Sequence, residues 1–276
     1  MKKHIPNAIT CCNLLCGVLA IVAAFQTGML ILSLLFVLMA AVFDFFDGFA
    51  ARVLKAYSPI GKELDSLADM VSFGVAPALV GYVYAYSFGE ILAPKAVYPF
   101  VVVLPLFIAV FSALRLAKFN IDSRQSENFI GLATPACAIL FISLTAYFSD
   151  TAMRISDSFA GENITVNVAT LGWWYWIPIA LVPILCFLLV CEIQMFSMKL
   201  KNLSFKDNRV RFIFLLIVIV EIAMAIIGHI HGCLTVAVIL GTYVVLNLII
   251  FLKDYLHKRK LFVHLQSQNG SDSASG

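Results

Sequence analysis

The sequence predicts an all-α polytopic transmembrane bundle of about eight spans, with both termini cytoplasmic. Three observations support this: an apolar composition, eight apolar runs of spanning length, and basic residues confined to alternate connections. Of the 276 residues, 62% are hydrophobic and 13% are charged, whereas a soluble domain carries about 25% charge. Mean hydropathy is +0.96. Lipid is therefore the solvent for most of the chain. One integral membrane domain over about 1–260 is the default at this length. A net charge of +3 gives no reason to expect a nucleic-acid partner.

A spanning helix needs about 20 apolar residues. Candidate runs cover 7–25, 29–54, 64–88, 98–117, 132–148, 174–192, 212–228 and 233–252. They are too long and continuous for barrel strands, and open strands cannot cross a bilayer. The first run follows a basic Met1–His4 stretch without an A-x-A pattern, so it reads as a retained helix. Seven scattered cysteines without C-x-x-C or Cys/His spacing read as small buried residues.

Charge placement sets the orientation. Seventeen of the 19 Lys and Arg residues fall on one side: Lys2, Lys3, Arg52, Lys55, Lys62, Arg115, Lys118, Arg124, Lys199, Lys201, Lys206, Arg209, Arg211, Lys253, Lys258, Arg259 and Lys260. Only Lys95 and Arg154 fall on the other. Such asymmetry puts the basic side in the cytoplasm and requires an even number of spans. The longest outer loop is read over 149–172, and Trp173, Trp174, Tyr175 and Trp176 read as an aromatic belt. The end of the chain, 261–276, reads as a polar disordered tail. His229 and His231 read as a turn pair, and Glu221 as an unexplained acid within a span.

The chemistry concentrates around one hairpin. The second span ends in Asp44-Phe-Phe-Asp47-Gly48-Phe-Ala-Ala51-Arg52, and Gly61-Lys-Glu-Leu-Asp65-Ser-Leu-Ala-Asp69 opens the third. Pro59 and Gly61 mark the turn. At about 100° per residue, Asp44, Asp47, Gly48, Ala51 and Arg52 share one helix face. Phe45, Phe46 and Phe49 take the other. Asp65 and Asp69 stand one turn apart, and Ser72 and Ala76 continue their stripe. Acids in a span are costly and usually functional. Four neighbouring carboxylates repel, and Arg52 neutralises only one. Two Mg²⁺ or Mn²⁺ ions would neutralise the set, and all-oxygen ligation suits them.

The run D-x-x-D-G-x-x-A-R-x8-G-x-x-x-D-x-x-x-D resembles the signature of the CDP-alcohol phosphatidyltransferase family. Asp44, Asp47, Gly48, Ala51, Arg52, Gly61, Asp65 and Asp69 match it without a gap. Three stretches extend the resemblance toward the bacterial, membrane-embedded phosphatidylserine synthase branch: 6–17, 65–77, and Arg115 to Asn120 with 131–136. In the third, related sequences have a second proline where Ala133 stands and arginine in place of Lys118. The resemblance covers about the first 140 residues. It implies a catalytic core over about 1–200, with an added C-terminal helix pair over about 212–252.

The resemblance also implies a reaction: CDP-diacylglycerol and L-serine give phosphatidylserine and CMP at the cytoplasmic face of the cell membrane. Asp44, Asp47 and Asp65 would hold one metal ion, and Asp44, Asp65 and Asp69 a second. Asp69 would double as general base. Arg52 would pair with the diphosphate. Gly48, Ala51 and Gly61 would line the nucleotide site, with Asn7, Thr10 and Ser58 beside it. Helix capping is the alternative reading for Asn7 and Thr10. Arg115, Lys118 and Asn120 are candidates for the serine site, and positive-inside topology is the alternative for each basic residue. A homodimer is expected by analogy. Other acceptors (glycerol-3-phosphate, inositol or inositol phosphate) and a cation transporter stay open at this point.

Overall fold

A computed structural model describes residues 4–27, 29–121, 129–159, 168–196 and 208–272. Eight helices are long and apolar enough to cross a membrane. We label them α1 (His4–Thr27), α2 (Leu30–Val53), α3 (Pro59–Leu92), α4 (Tyr98–Ile121), α5 (Thr134–Phe159), α6 (Val168–Val190), α7 (Arg209–Ile227) and α8 (Gly232–Asp272). All eight expected spans are present. Two short strands, β1 (Phe129–Ile130) and β2 (Gln194–Met195), form an antiparallel ladder with Phe129 opposite Met195.

Several helices overrun their expected limits. α3 starts at Pro59 rather than 64, because Ser58 caps it: the Ser58 hydroxyl accepts from the Gly61 N–H at 3.1 Å. Pro59 occupies the first turn, where its missing N–H costs nothing. The expected loop over 149–172 is largely helical, since α5 reaches Phe159 and α6 begins at Val168. The tail expected to be disordered from 261 instead continues α8 to Asp272. There the chain prolongs a helix already nucleated, so no new nucleus has to form. Residues 273–276 lie outside the described residues, as does Arg124.

The core has two parts. Cys16, Ala20, Leu34, Val37, Phe73, Val80 and Tyr84 join α1, α2 and α3 to α5 and α6. Ile108, Leu132, Phe141, Leu185, Met195, Phe214 and Tyr243 join α4, α5 and α6 to the α7–α8 pair. α5 runs between them, against α2, α3, α6 and α8. Small residues allow close approach. A Cβ on Gly17 would lie 2.4 Å from Ser72 Oγ. The Ser72 hydroxyl in turn donates to Asn13 O at 3.0 Å, tying α3 to α1.

Three aromatic and polar expectations change. Of the Trp173–Trp176 run, Trp173 is 60% exposed but Tyr175 is 2% exposed. Tyr175 stacks on Tyr84 at 5.7 Å and donates to Ala85 O at 3.3 Å, so it is core rather than belt. His231 is more than a turn residue. Its Nε2 lies 3.0 Å from Asp150 Oδ2, and Arg154 Nε lies 2.6 Å from the same oxygen. Glu221 acquires a partner across the C-terminal pair: the Thr242 hydroxyl donates to its Oε1 at 2.6 Å.

Candidate active site

α3 is not a uniform helix. Met70–Val75 forms one wide π turn immediately after Asp69, and the Ala76 N–H reaches back five residues to Val71 O. The local cause is Pro77, which has no N–H and would clash with the carbonyl four residues earlier. Such turns are frequent at functional sites. The expected Asp65–Asp69–Ser72–Ala76 stripe holds as far as Ser72, since Asp69 and Ser72 both bond to Asn13 of α1, and Ala76 is buried in the core.

The hairpin between α2 and α3 gathers the acids. Carboxylate oxygens of Asp44, Asp47 and Asp65 lie within 4.8 Å of one another. Asp47 is only 5% exposed. Asp47 Oδ2 and Asp65 Oδ1 are buried without a hydrogen-bond partner. Buried polar atoms are nearly always paired, and buried carboxylates demand a counter-charge. A hard divalent cation fits this donor set by charge and by ligand type. Asp69 stands outside that group of three. Its Oδ1 accepts from Asn13 Nδ2 at 3.3 Å.

A cavity of 720 Å³ opens beside the acids. Its walls include Asn7, Thr10, Gly48, Ala51, Arg52, Ser58 and Gly61, together with Asp47 and Asp65. All seven residues expected at a nucleotide thus face one space. Gly48 has nothing within 4 Å of where a Cβ would stand, so a ligand can rest on the α2 backbone. Arg52 Nε donates to Gly48 O at 2.9 Å, which braces the guanidinium along its own helix. Lys55 adopts φ 50 where the chain leaves α2. Capping does not describe Asn7 or Thr10, because α1 already begins at His4. The Thr10 hydroxyl donates within the helix, to Pro6 O at 3.1 Å. Tyr57, Lys62 and Pro6 also line the cavity and were not expected. Tyr57 and Lys62 stand at variable positions inside the motif, and Pro6 lies outside it.

The three acceptor candidates have separate places. Asn120 Nδ2 donates to Ser66 Oγ at 3.0 Å, joining α4 to α3. Lys118 reaches Val190 O at 3.4 Å, toward the end of α6. Arg115 is 7% exposed and donates to Thr134 Oγ1 at 3.4 Å, and its Nε has no partner. α4 meets α3 at Ser66–Asn120 and again where Gly74 abuts Ser112. Arg115 lies between these contacts, about level with Asp69. Asn13 escaped the sequence reading as a site residue. Its side chain is fully buried, and its Oδ1 has no partner. An amide in an apolar run one turn after Thr10 was the available signal.

The model of the CDP-alcohol phosphatidyltransferase family matches residues 3–181. The chain belongs to that family. It is 36% identical over 155 residues to a CDP-diacylglycerol–serine O-phosphatidyltransferase of Bacillus subtilis (strain 168), covering 55% of this chain and 81% of that protein. The enzyme of the same name from Helicobacter pylori (strain ATCC 700392 / 26695) is 37% identical over 141 residues, covering 50% of this chain and 55% of the relative. An archaetidylserine synthase of Methanothermobacter thermautotrophicus is 34% identical over 150 residues, covering 53% and 60%. The chain thus spans little more than half the length of the last two. As a CDP-alcohol phosphatidyltransferase family member with eight candidate spans, it is a multi-pass membrane protein. Asp44, Asp47, Asp65 and Asp69 all lie within the matched region.

Proposed function

We propose that the protein transfers the phosphatidyl group of CDP-diacylglycerol to the hydroxyl of L-serine, releasing CMP. The observation behind this is the crowding of Asp44, Asp47 and Asp65 within 4.8 Å beside a cavity lined by Gly48, Ala51, Arg52 and Gly61 of the signature. The names of the three relatives support serine as the acceptor.

The residues then divide the work. Asp44, Asp47, Asp65 and Asp69 would hold two Mg²⁺ or Mn²⁺ ions. When bound, these supply positive charge to the diphosphate and to the departing CMP. Arg52 pairs with phosphate oxygens through charge-assisted bonds. Asn7, Thr10, Ser58 and Gly61 contact the nucleotide, and Gly48 and Ala51 let it lie against α2. Asp69 takes the proton of the serine hydroxyl as its oxygen attacks the phosphorus bearing diacylglycerol. The bond from that phosphorus to the bridging oxygen breaks, and CMP leaves with the electron pair. Arg115 receives the serine carboxylate; Lys118 and Asn120 shape that side by tying α4 to α6 and α3.

Both termini and this site face the cytoplasm of the cell membrane in our reading, because that orientation puts Arg52, Lys55, Lys62 and Lys118 on one basic side. It also gives the lipid substrate's diphosphate the depth of the acids while its acyl chains stay in the bilayer. The catalytic core covers about 1–200, and the protein works as a homodimer. The deciding experiment is CMP release by detergent-purified protein with CDP-diacylglycerol and Mn²⁺. Serine should support turnover, and glycerol-3-phosphate and inositol should not. Turnover with glycerol-3-phosphate alone would overturn the serine assignment. Ion flux without CMP release would overturn the enzymatic one.

A further inference from the structure

The α7–α8 pair lies beyond the residues matched by the family, 3–181, yet α8 is bonded to the segment that frames the acceptor side. Asn247 is 1% exposed. Its Oδ1 accepts from the Phe196 N–H at 2.8 Å, and its Nδ2 donates to Tyr243 O at 2.8 Å. The Tyr243 hydroxyl donates to Phe196 O at 3.1 Å. Two side chains of α8 therefore satisfy both backbone groups of one residue. The Phe196 ring sits edge-on to Phe214 of α7 at 5.9 Å and to Tyr243 at 5.2 Å.

The grip passes along the chain. Phe196 directly follows β2, and β2 pairs with β1. Beyond β1, the Gly131 N–H donates to Ile193 O at 2.9 Å and the Leu132 N–H to Leu188 O at 2.8 Å. Gly131 has φ +75, and a Cβ there would lie 2.8 Å from Leu189 O. Two residues after Leu132, Thr134 opens α5 and receives Arg115. The links are hydrogen bonds and a ladder pair, joined by short backbone steps from Phe196 to β2 and from Leu132 to Thr134.

We infer that the α7–α8 pair is a clasp that sets the acceptor side of the active site, with Asn247 as a positioning residue acting through Phe196, the β1–β2 ladder and Thr134 on Arg115. The inference rests on the reading of Arg115 as the serine-carboxylate group. Removing the buried amide orphans the Phe196 N–H, which costs more than losing an exposed bond. Generic membrane packing uses hydrogen bonds between helices, whereas these bonds go to Phe196, in a connection outside any helix.

The test compares Asn247→Leu, Tyr243→Phe and Thr242→Val in the full-length protein. Asn247→Leu should raise the KM for serine about fivefold to tenfold, what one to two lost hydrogen bonds give, and leave the KM for CDP-diacylglycerol within about twofold. Hydrogen exchange at the Gly131 and Leu132 amides should accelerate alongside. Tyr243→Phe should act in the same direction and more weakly, and serves if the leucine variant does not fold. Thr242→Val breaks the bond to Glu221 within the same helix pair and should leave both KM values unchanged. An unchanged serine KM in the first two variants, or a parallel loss of all parameters in all three, overturns the clasp. The parent protein separates the two ideas: CMP release that ignores serine removes the acceptor reading and this inference with it, whereas serine-dependent release with unmoved variants removes the inference alone.

Discussion

Two hairpins in this molecule put polar side chains into apolar helices, and they treat them in opposite ways. In the C-terminal pair, Glu221 receives the Thr242 hydroxyl and Asn247 uses both ends of its amide. Glu221 keeps one oxygen without a partner, but no other acid crowds it among the described residues. In the α2–α3 hairpin, three carboxylates share a sphere of 4.8 Å, and two of their buried oxygens have no partner. A membrane helix tolerates a polar group when the chain itself supplies the partner. Where the chain instead collects like charges and withholds partners, the partner comes from outside. The C-terminal hairpin spends its polarity on architecture; the α2–α3 hairpin keeps its polarity for a ligand.

The largest expected break of that contrast is Asp65→Asn. CMP release should fall on the order of a thousandfold, the scale of losing one preorganised charge-stabilising group. Metal-free protein should become more stable by on the order of 1 kcal/mol, because one of three repelling charges is gone. Activity and metal-free thermal melting therefore move in opposite directions. Loss of both together would mean that Asp65 serves the fold rather than a ligand. Removing divalent ions with a chelator should abolish release in the parent protein, and Mn²⁺ or Mg²⁺ should restore it.

Next in size is Asn13→Ala. Its amide holds Asp69 at 3.3 Å. Losing such an orienting contact typically costs about 10-fold to 100-fold. We expect that loss in kcat, with little change in the KM for CDP-diacylglycerol. A kcat drop that merely follows the folded fraction, measured by melting, would make Asn13 a packing residue.

These two variants also mark what the sequence could and could not reveal. Asp44, Asp47, Asp65 and Asp69 were legible because charge inside an apolar run is a local anomaly, and helical spacing alone places the pairs. Gly48 and Arg52 came with them on one face. Asn13 was not legible, because its role appears only when α1 packs on α3, a tertiary event. The π turn after Asp69 was hidden for a related reason: Pro77 signalled a disturbance, but its resolution depends on the packing of Ser72 and Gly74. Tyr175 was misread with its tryptophan neighbours, since an aromatic run looks like an interface until the helix turns one ring inward. Arg115 was legible as a candidate; its burial beside Thr134 required the β1–β2 ladder, which pairs residues about 65 positions apart.

The smallest expected effect sharpens the contrast most. Gly48 sits inside α2 with nothing within 4 Å of a hypothetical Cβ. Glycine in a helix interior is less stable than alanine by about 0.5–1 kcal/mol, so a purely architectural reading makes Gly48→Ala a gain. Metal-free and nucleotide-free protein should indeed melt slightly higher. If the open face is kept for a ligand, the same methyl group should intrude on the nucleotide and raise the KM for CDP-diacylglycerol severalfold, with the KM for serine unmoved. The two measurements on one variant carry opposite signs only if the space beside Gly48 belongs to the substrate. A variant that is both more stable and equally tight for CDP-diacylglycerol would place the nucleotide elsewhere in the cavity.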